Sequence, residues 1–190
     1  LKMKYNLDSI KNIIFDLGGV ILNIDPQRTV EQMQRLGILN FDEIYSQLKQ
    51  NEIFDKLERG ELNEEEFVRI IRKFSGVHLQ HEEVIEGWNR LLLDYPPERI
   101  RLLDRLNQSN RFRTFLLSNT NQIHKKTYTR SLKEQFGYDG LESLFEKAYF
   151  SHQIKMRKPD PEIYEFVLKY SDLVPEETLF LDDSEINLKS

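Results

Sequence analysis

Short apolar runs alternating with helical patterns predict an α/β protein built on a parallel sheet, and a long strand-free stretch predicts a helical bundle inserted into it. Three observations carry this. The runs Ile13-Ile14-Phe15, Thr114-Phe115-Leu116-Leu117 and Thr178-Leu179-Phe180-Leu181 are apolar, β-prone and bounded by polar or glycine turns, as buried strands are. Helical patterns over 122–136 and 161–170 separate the later runs, so the strands are joined by crossovers and lie parallel. Residues 26–95, which follow the first run, have helical periodicity only.

Taken in order, residues 1–11 are mixed in character and are expected to cap one edge of the domain. The first strand covers 12–16 and carries Asp16 to its C-terminal end, where Gly18-Gly19 turns the chain away from whatever Asp16 touches. Val20-Ile21-Leu22-Asn23-Ile24-Asp25 alternates weakly and suits a short hairpin or flap. In the inserted region, Val30, Met33 and Leu36 mark a helix over 29–36, and Phe41, Ile44, Tyr45 and Leu48 mark another over 41–48. Asn63 followed by Glu66 has the form of a capping box ahead of Phe67, Val68, Ile70 and Ile71. Residues 82–93 add Val84, Ile85, Trp88, Leu91 and Leu92, with Trp88 expected in the bundle core and Arg59-Gly60-Glu61 in a loop. After Tyr95-Pro96-Pro97 the alternation resumes with a helix over 98–107, a strand over 114–117 ending at Ser118-Asn119-Thr120, and a helix over 122–136. A strand over 147–150, a helix over 161–170 and a strand over 178–181, which delivers Asp182-Asp183, complete the pattern. The expected division is a core domain of 1–24 and 96–190 with a helical cap of 25–95 over the sheet's ligand-binding edge. The sequence stops seven residues after Asp183, where a doubly wound domain ordinarily continues with another helix, so a continuation is expected.

Composition narrows the function classes. A chain of 190 residues can bury a sizeable core, and its net charge of −5 argues against a nucleic-acid or membrane partner while leaving room for a locally basic pocket. The absence of cysteine excludes disulfides and thiolate chemistry and leaves oxygen or histidine ligands for any metal. No apolar run is long enough to span a bilayer, and the first ten residues lack a signal-peptide core. A cytoplasmic enzyme or binding protein is expected, as a monomer or weak homodimer.

Polar residues suited to phosphate chemistry end the apolar strands: Asp16, Ser118-Asn119 and Asp182-Asp183, with Arg157-Lys158-Pro159 ahead of a helix. Each is ordinary by itself. Asp-x-Gly-Gly is common turn chemistry, an acidic doublet is commonly solvated, and a lysine is commonly on the surface. Their shared place at strand ends is the signal, because such ends converge in a parallel sheet. Asp16 can serve there as a nucleophile or a metal ligand, sharing a hard cation such as Mg²⁺ with Asp183 and the Gly18 carbonyl. Ser118, the backbone N–H of Asn119 and the Lys158 ammonium are donors for phosphoryl oxygens.

With these residues in place, FDLGGV, LLSNT, RKPDPEIY and LFLDDSEIN resemble the four motifs of the haloacid dehalogenase-like hydrolase superfamily. The resemblance implies a Rossmann-like core, with the inserted helices as its cap. LERGELNEEEF, the EGW at Trp88, LLSNTNQIH and MRKPDPEIY further resemble a bacterial branch that includes α-D-glucose-1-phosphate phosphatase. It implies that Asp16 attacks phosphorus and forms an aspartyl-phosphate. Asp16, the Gly18 carbonyl and Asp183 would hold Mg²⁺, with Asp182 supporting the metal directly or through water. Gly19, Ser118, Asn119 and Lys158 would bind the phosphoryl group, and Asn187 sits at a ligand-supporting position.

One departure matters. Most phosphatases of that superfamily carry a second Asp two residues after the nucleophile, and here the position is Gly18. General acid–base help is worth about 10²–10⁴-fold, so its loss has consequences. The favoured reading is still a Mg²⁺-dependent phosphatase of a small phosphorylated metabolite such as a hexose 1-phosphate, whose anomeric oxygen leaves with less protonation. Asp25 and His124 are candidate substitute acids, and Glu58-Arg59-Gly60-Glu61 is the candidate cap loop for substrate contact. The alternatives are a 2-haloacid dehalogenase, against which the Asp182-Asp183 doublet argues, a non-catalytic phosphate-ligand binder, and a phosphomutase.

Overall fold

The computed structural model describes residues 7–189. Strands β1 (Asn12–Phe15), β2 (Arg113–Ser118), β3 (Lys147–Phe150) and β4 (Thr178–Leu181) form one parallel sheet in the order β3-β2-β1-β4. The chain steps outward from β1 to β2 to β3 and returns to the other side of β1 for β4. The strand order therefore reverses beside β1, where a crevice opens at the carboxyl ends. The α/β class and the four strands agree with the sequence pattern.

Side-chain alternation along these strands builds a core on each face. Ile13, Phe15 and Leu116 pack on one face against Ile100 and Leu103 of α6 (Pro97–Ser109) and Tyr128 and Leu132 of α7 (Gln122–Phe136). Ile14, Phe115, Leu117 and Tyr149 pack on the other against Ile163 and Val167 of α9 (Pro161–Tyr170). The edge expected from 1–11 is described only in part, since residues 1–6 lie outside the described residues. Lys11 donates its N–H to the Glu177 carbonyl at 2.9 Å and pairs with the Glu177 carboxylate at 2.6 Å, beside β4.

Between β1 and α6 the chain forms α1 (Pro26–Arg35), α2 (Phe41–Gln50), α3 (Ile53–Glu58), α4 (Glu64–Ser75) and α5 (His81–Asn89). Met33, Phe41, Ile44, Leu48, Leu57, Phe67, Val68, Ile71, Val84 and Trp88 bury a separate core at the positions that helical spacing selects. Ile123 of α7 joins that core. Trp88 stacks on His124 of α7 with ring centroids 5.2 Å apart, so it lies in the bundle core and also against the sheet domain.

Two differences from the sequence pattern have clear causes. The helix over 82–93 stops at Asn89, because Asp25 and Asn23 capture the following backbone: the Asp25 N–H donates to Leu91 O at 2.8 Å and Leu93 N–H to Asn23 O at 3.0 Å. The flap residue Ile24 thereby bridges Leu92 where the bundle returns to the core. Helix α3 and the four-residue α8 (Ser151–Ile154) are too short to leave a periodic signal and are set by tertiary packing.

The capping box is present in full. Glu66 N–H donates to Asn63 Oδ1 and Asn63 N–H to the Glu66 carboxylate, both at 2.9 Å. Replacing Asn63→Ala should lower stability by about 1 kcal/mol in chemical denaturation, and an unchanged midpoint would mean that α4 is held by its packing alone.

Candidate active site

The sheet register assembles the site. Phe15 pairs with both Leu116 and Leu181, so the next residues, Asp16 and Asp182, stand level at the ends of neighbouring strands. Asp16 N–H donates to Leu181 O at 2.8 Å, which extends the β1–β4 ladder to the carboxylate itself. At Gly19 the backbone takes φ +71°, and a β-carbon there would lie 2.2 Å from Asp183 Oδ2. Glycine is therefore needed twice over, for its conformation and for the approach of Asp183. Carboxylate oxygens of Asp16, Asp182 and Asp183 all come within 4.8 Å of one another.

Lys158 lies at the centre. It is 1% exposed, and its Nζ donates to Asp16 Oδ1 at 2.7 Å and Asp182 Oδ2 at 2.6 Å. Its backbone is fixed by Asn119: Lys158 N–H donates to Asn119 Oδ1 and Asn119 Nδ2 donates to the Lys158 carbonyl, each at 2.8 Å. Ser118, at the end of β2, is buried with its Oγ 3.5 Å from the Asn119 carbonyl. The sequence suggested only the backbone N–H of Asn119 as a donor. Its side chain binds the loop that carries the lysine, a role that required the loop's position to be known.

The two carboxylates of the doublet differ. Asp182 accepts from Lys158, from Ser184 N–H at 2.9 Å and from Asn187 Nδ2 at 3.0 and 3.1 Å. Asn187 is held in turn by Tyr164, whose hydroxyl donates to its carbonyl at 2.9 Å. Asp183 is exposed and takes no hydrogen bond from the described residues. An all-oxygen set suits a hard cation: Asp183 is the open carboxylate, Asp16 shares one oxygen with Lys158, and Asp182 anchors the lysine.

Other candidate residues are engaged elsewhere. Asp25 caps α1, accepting from Gln27 N–H at 3.1 Å, and lies 3.7 Å from the Arg28 guanidinium. His124 is buried against Trp88 with its Nδ1 2.9 Å from Asn89 Oδ1, and burial pushes it down to about 3, so it is uncharged at neutral pH and has no imidazolium proton to give. Glu58 and Arg59 meet the core: Arg157 Nε donates to Glu58 Oε2 at 2.9 Å, and Arg59 Nη2 to Asp160 Oδ2 at 2.5 Å. At Gly18, a β-carbon would sit 2.9 Å from Ile24 Cδ1, so the flap's isoleucine covers the direction in which a side chain at 18 would point.

Burial raises the Asp16 carboxyl from 3.8 to about 6, against the pull of Lys158. A raised carboxyl pKa means that this group favours the folded state below pH 3.8, an advantage lost as pH rises to 6. The rise corresponds to about 3 kcal/mol. In EDTA, the stability of Asp16→Asn relative to wild type should therefore increase between pH 4 and pH 7.5 by about that amount. A pH-independent difference in paired denaturation curves would mean that the attraction of Lys158 fully offsets the desolvation of Asp16.

A sequence profile described as haloacid dehalogenase-like hydrolase matches residues 10–190. The chain is 34% identical over 181 residues to D-ribitol-5-phosphate phosphatase of Bacteroides thetaiotaomicron, covering 94% of this chain and 85% of that protein. The crystal structure of a HAD-family enzyme from B. thetaiotaomicron, in complex with magnesium and inorganic phosphate, superposes with a TM-score of 0.86 at 38% identity, over 95% of this chain and 88% of that one. A HAD-like hydrolase from Porphyromonas gingivalis gives 0.83 at 31% identity, over 95% and 85%. Motif order, parallel sheet, inserted bundle and these matches agree, and the chain belongs to the haloacid dehalogenase-like hydrolase family.

Proposed function

We propose that this hydrolase is a Mg²⁺-dependent phosphatase of a small sugar or polyol phosphate, acting through phosphoryl transfer to Asp16. The observation that carries it is the buried Lys158 ammonium gripped by Asp16 and Asp182, with Asp183 open beside them. A cation so placed neutralises charge on the equatorial oxygens of a transferring phosphoryl group. Relatives support the substrate class: one is named for ribitol 5-phosphate, and a Thermotoga maritima phosphatase of phosphorylated carbohydrates is 32% identical over 58% of this chain. A hexose 1-phosphate is the finer proposal. Residues 25–95 are read as the cap and 1–24 with 96–190 as the core. A cytoplasmic monomer or weak homodimer completes the reading; no helix among the described residues is long and apolar enough to cross a membrane.

In the first step an Asp16 carboxylate oxygen attacks phosphorus as the bond to the substrate oxygen breaks. Water then attacks phosphorus of the aspartyl-phosphate, which releases inorganic phosphate and restores Asp16. Ser118 Oγ and Lys158 Nζ donate to the phosphoryl oxygens, and Asn119 keeps the lysine in register. Asp16, Asp183 and the Gly18 carbonyl would hold Mg²⁺, with Asp182 supporting it, and the ion would supply further charge neutralisation. Gly18 offers no proton to the leaving oxygen, and Ile24 covers the space that a donor from that position would use.

Three outcomes test this. Asp16→Asn should bring phosphate release from sugar phosphates to background with the fold intact by circular dichroism; near-wild-type turnover would remove Asp16 as nucleophile. EDTA should abolish release and added Mg²⁺ restore it, and chelator-insensitive activity would rule out the metal site. Across aryl phosphates of graded leaving-group acidity, log(kcat/KM), which reports the step in which the leaving group departs, should fall steeply as the leaving group becomes more basic. Gly18→Asp combined with Ile24→Ala should flatten that dependence, gaining on the order of 10²-fold for the poorest leaving groups. A flat wild-type profile would mean that a proton donor is present.

A further inference from the structure

The end of α3 meets the core on both sides of the catalytic lysine. Arg157, the residue before Lys158, donates to Glu58 at 2.9 Å and reaches Asp55 at 3.4 Å. Asp160, two residues after Lys158, accepts from Arg59 at 2.5 Å. Directly after these grips Gly60 takes φ +67°, and a β-carbon there would lie 2.3 Å from the His152 carbonyl oxygen, so the loop is seated on the core backbone with no room for a side chain. The Glu58 and Arg157 side chains are 26% and 20% exposed, so their attraction is less screened than that of a surface pair. From the other side, the Asn119 side chain holds the Lys158 backbone. The 157–160 segment is thus held between β2 and α3, and each half of the clamp belongs to a different part of the chain.

We propose that Glu58 is a positioning residue: through Arg157, and with Arg59 on Asp160, it locks the Lys158 segment in place when the helical bundle is seated. The substrate-binding lysine is then correctly set only when the bundle covers the site, and an open bundle leaves a slack lysine that transfers phosphate poorly. Glu58 acts on the reaction through the core, not by touching substrate. This rests on the phosphatase reading, in which Lys158 binds the transferring group.

The test uses the full chain with Glu58→Gln, Glu58→Ala, Arg157→Ala, the Glu58→Ala/Arg157→Ala pair, and Arg59→Ala as a second, independent grip. Hydrogen exchange is the first readout and needs no turnover. Glu58→Gln, nearly isosteric, should speed exchange across both 53–61 and 156–160, while the 63–75 helix keeps its protection. Unchanged exchange at 156–160 in Glu58→Gln and Arg59→Ala would overturn the latch. Kinetics with acetyl phosphate, too small to fill a space beneath the bundle, and with the best sugar phosphate is the second readout. Glu58→Ala should lower kcat on both substrates by about 10–100-fold, as expected for a displaced binding group. The double variant should be no slower than the slower single one. A loss confined to KM for the sugar phosphate, or losses that multiply in the double variant, would make Glu58 a substrate contact and overturn the proposal. If wild type released no phosphate from either substrate, the phosphatase reading would fail, and the exchange data would still decide the latch.

Discussion

The buried ammonium of Lys158 between Asp16 and Asp182 is the constraint around which the molecule is built. An unpaired charge at that depth would be prohibitive, and even a paired one stabilises a fold poorly, because desolvation offsets most of the attraction. The fold carries the cost through an extensive supporting frame. The β1–β4 register sets the two carboxylates side by side, Asn119 holds the lysine's backbone, and Ser184 and Asn187 satisfy the lone pairs of Asp182 that Lys158 leaves. The supports come from β1, from the residue after β2, and from β4 with the turn that follows it.

This arrangement divides labour within the acidic doublet. Asp182 is saturated and points inward, so its charge is spent on Lys158. Asp183, one residue on, is directed outward against Gly19 and keeps its oxygens available. The burial that raises the Asp16 carboxyl toward neutrality also makes it responsive to any added positive charge, since a low-dielectric setting strengthens every ion it meets.

The inserted bundle has its own hydrophobic core, and its polar ends meet the sheet domain. Trp88 and His124 stack across the junction on one side, while Glu58 and Arg59 reach the Lys158 segment on another. On the first side the stacked rings are joined by the His124–Asn89 hydrogen bond at 2.9 Å and the Lys126–Glu64 ion pair at 2.8 Å, so directional contacts are made on both sides. The ion pairs are directional and are made only in one seating.

The β-strands were legible because burial on both faces makes them continuous apolar runs, as in Ile13-Ile14-Phe15, and the long helices because burial of one face imposes a period, as with Phe67 and Ile71 along one stripe. Asn63 and Glu66 were legible because a capping box is a local interaction between near neighbours. The approach of Asp16 to Asp182-Asp183 was also readable, since parallel strands bring their carboxyl ends together whatever lies between them. What only the tertiary structure decided depends on pairs remote in the chain: that Asn119 grips the lysine through its side chain, that residues after Asn89 leave their helix to pair with the flap, and that Arg157 is claimed by Glu58. Local sequence carries periodicity and turn chemistry, whereas the partner of a charged or amide side chain is selected by distance in space, and no spacing along the chain encodes it.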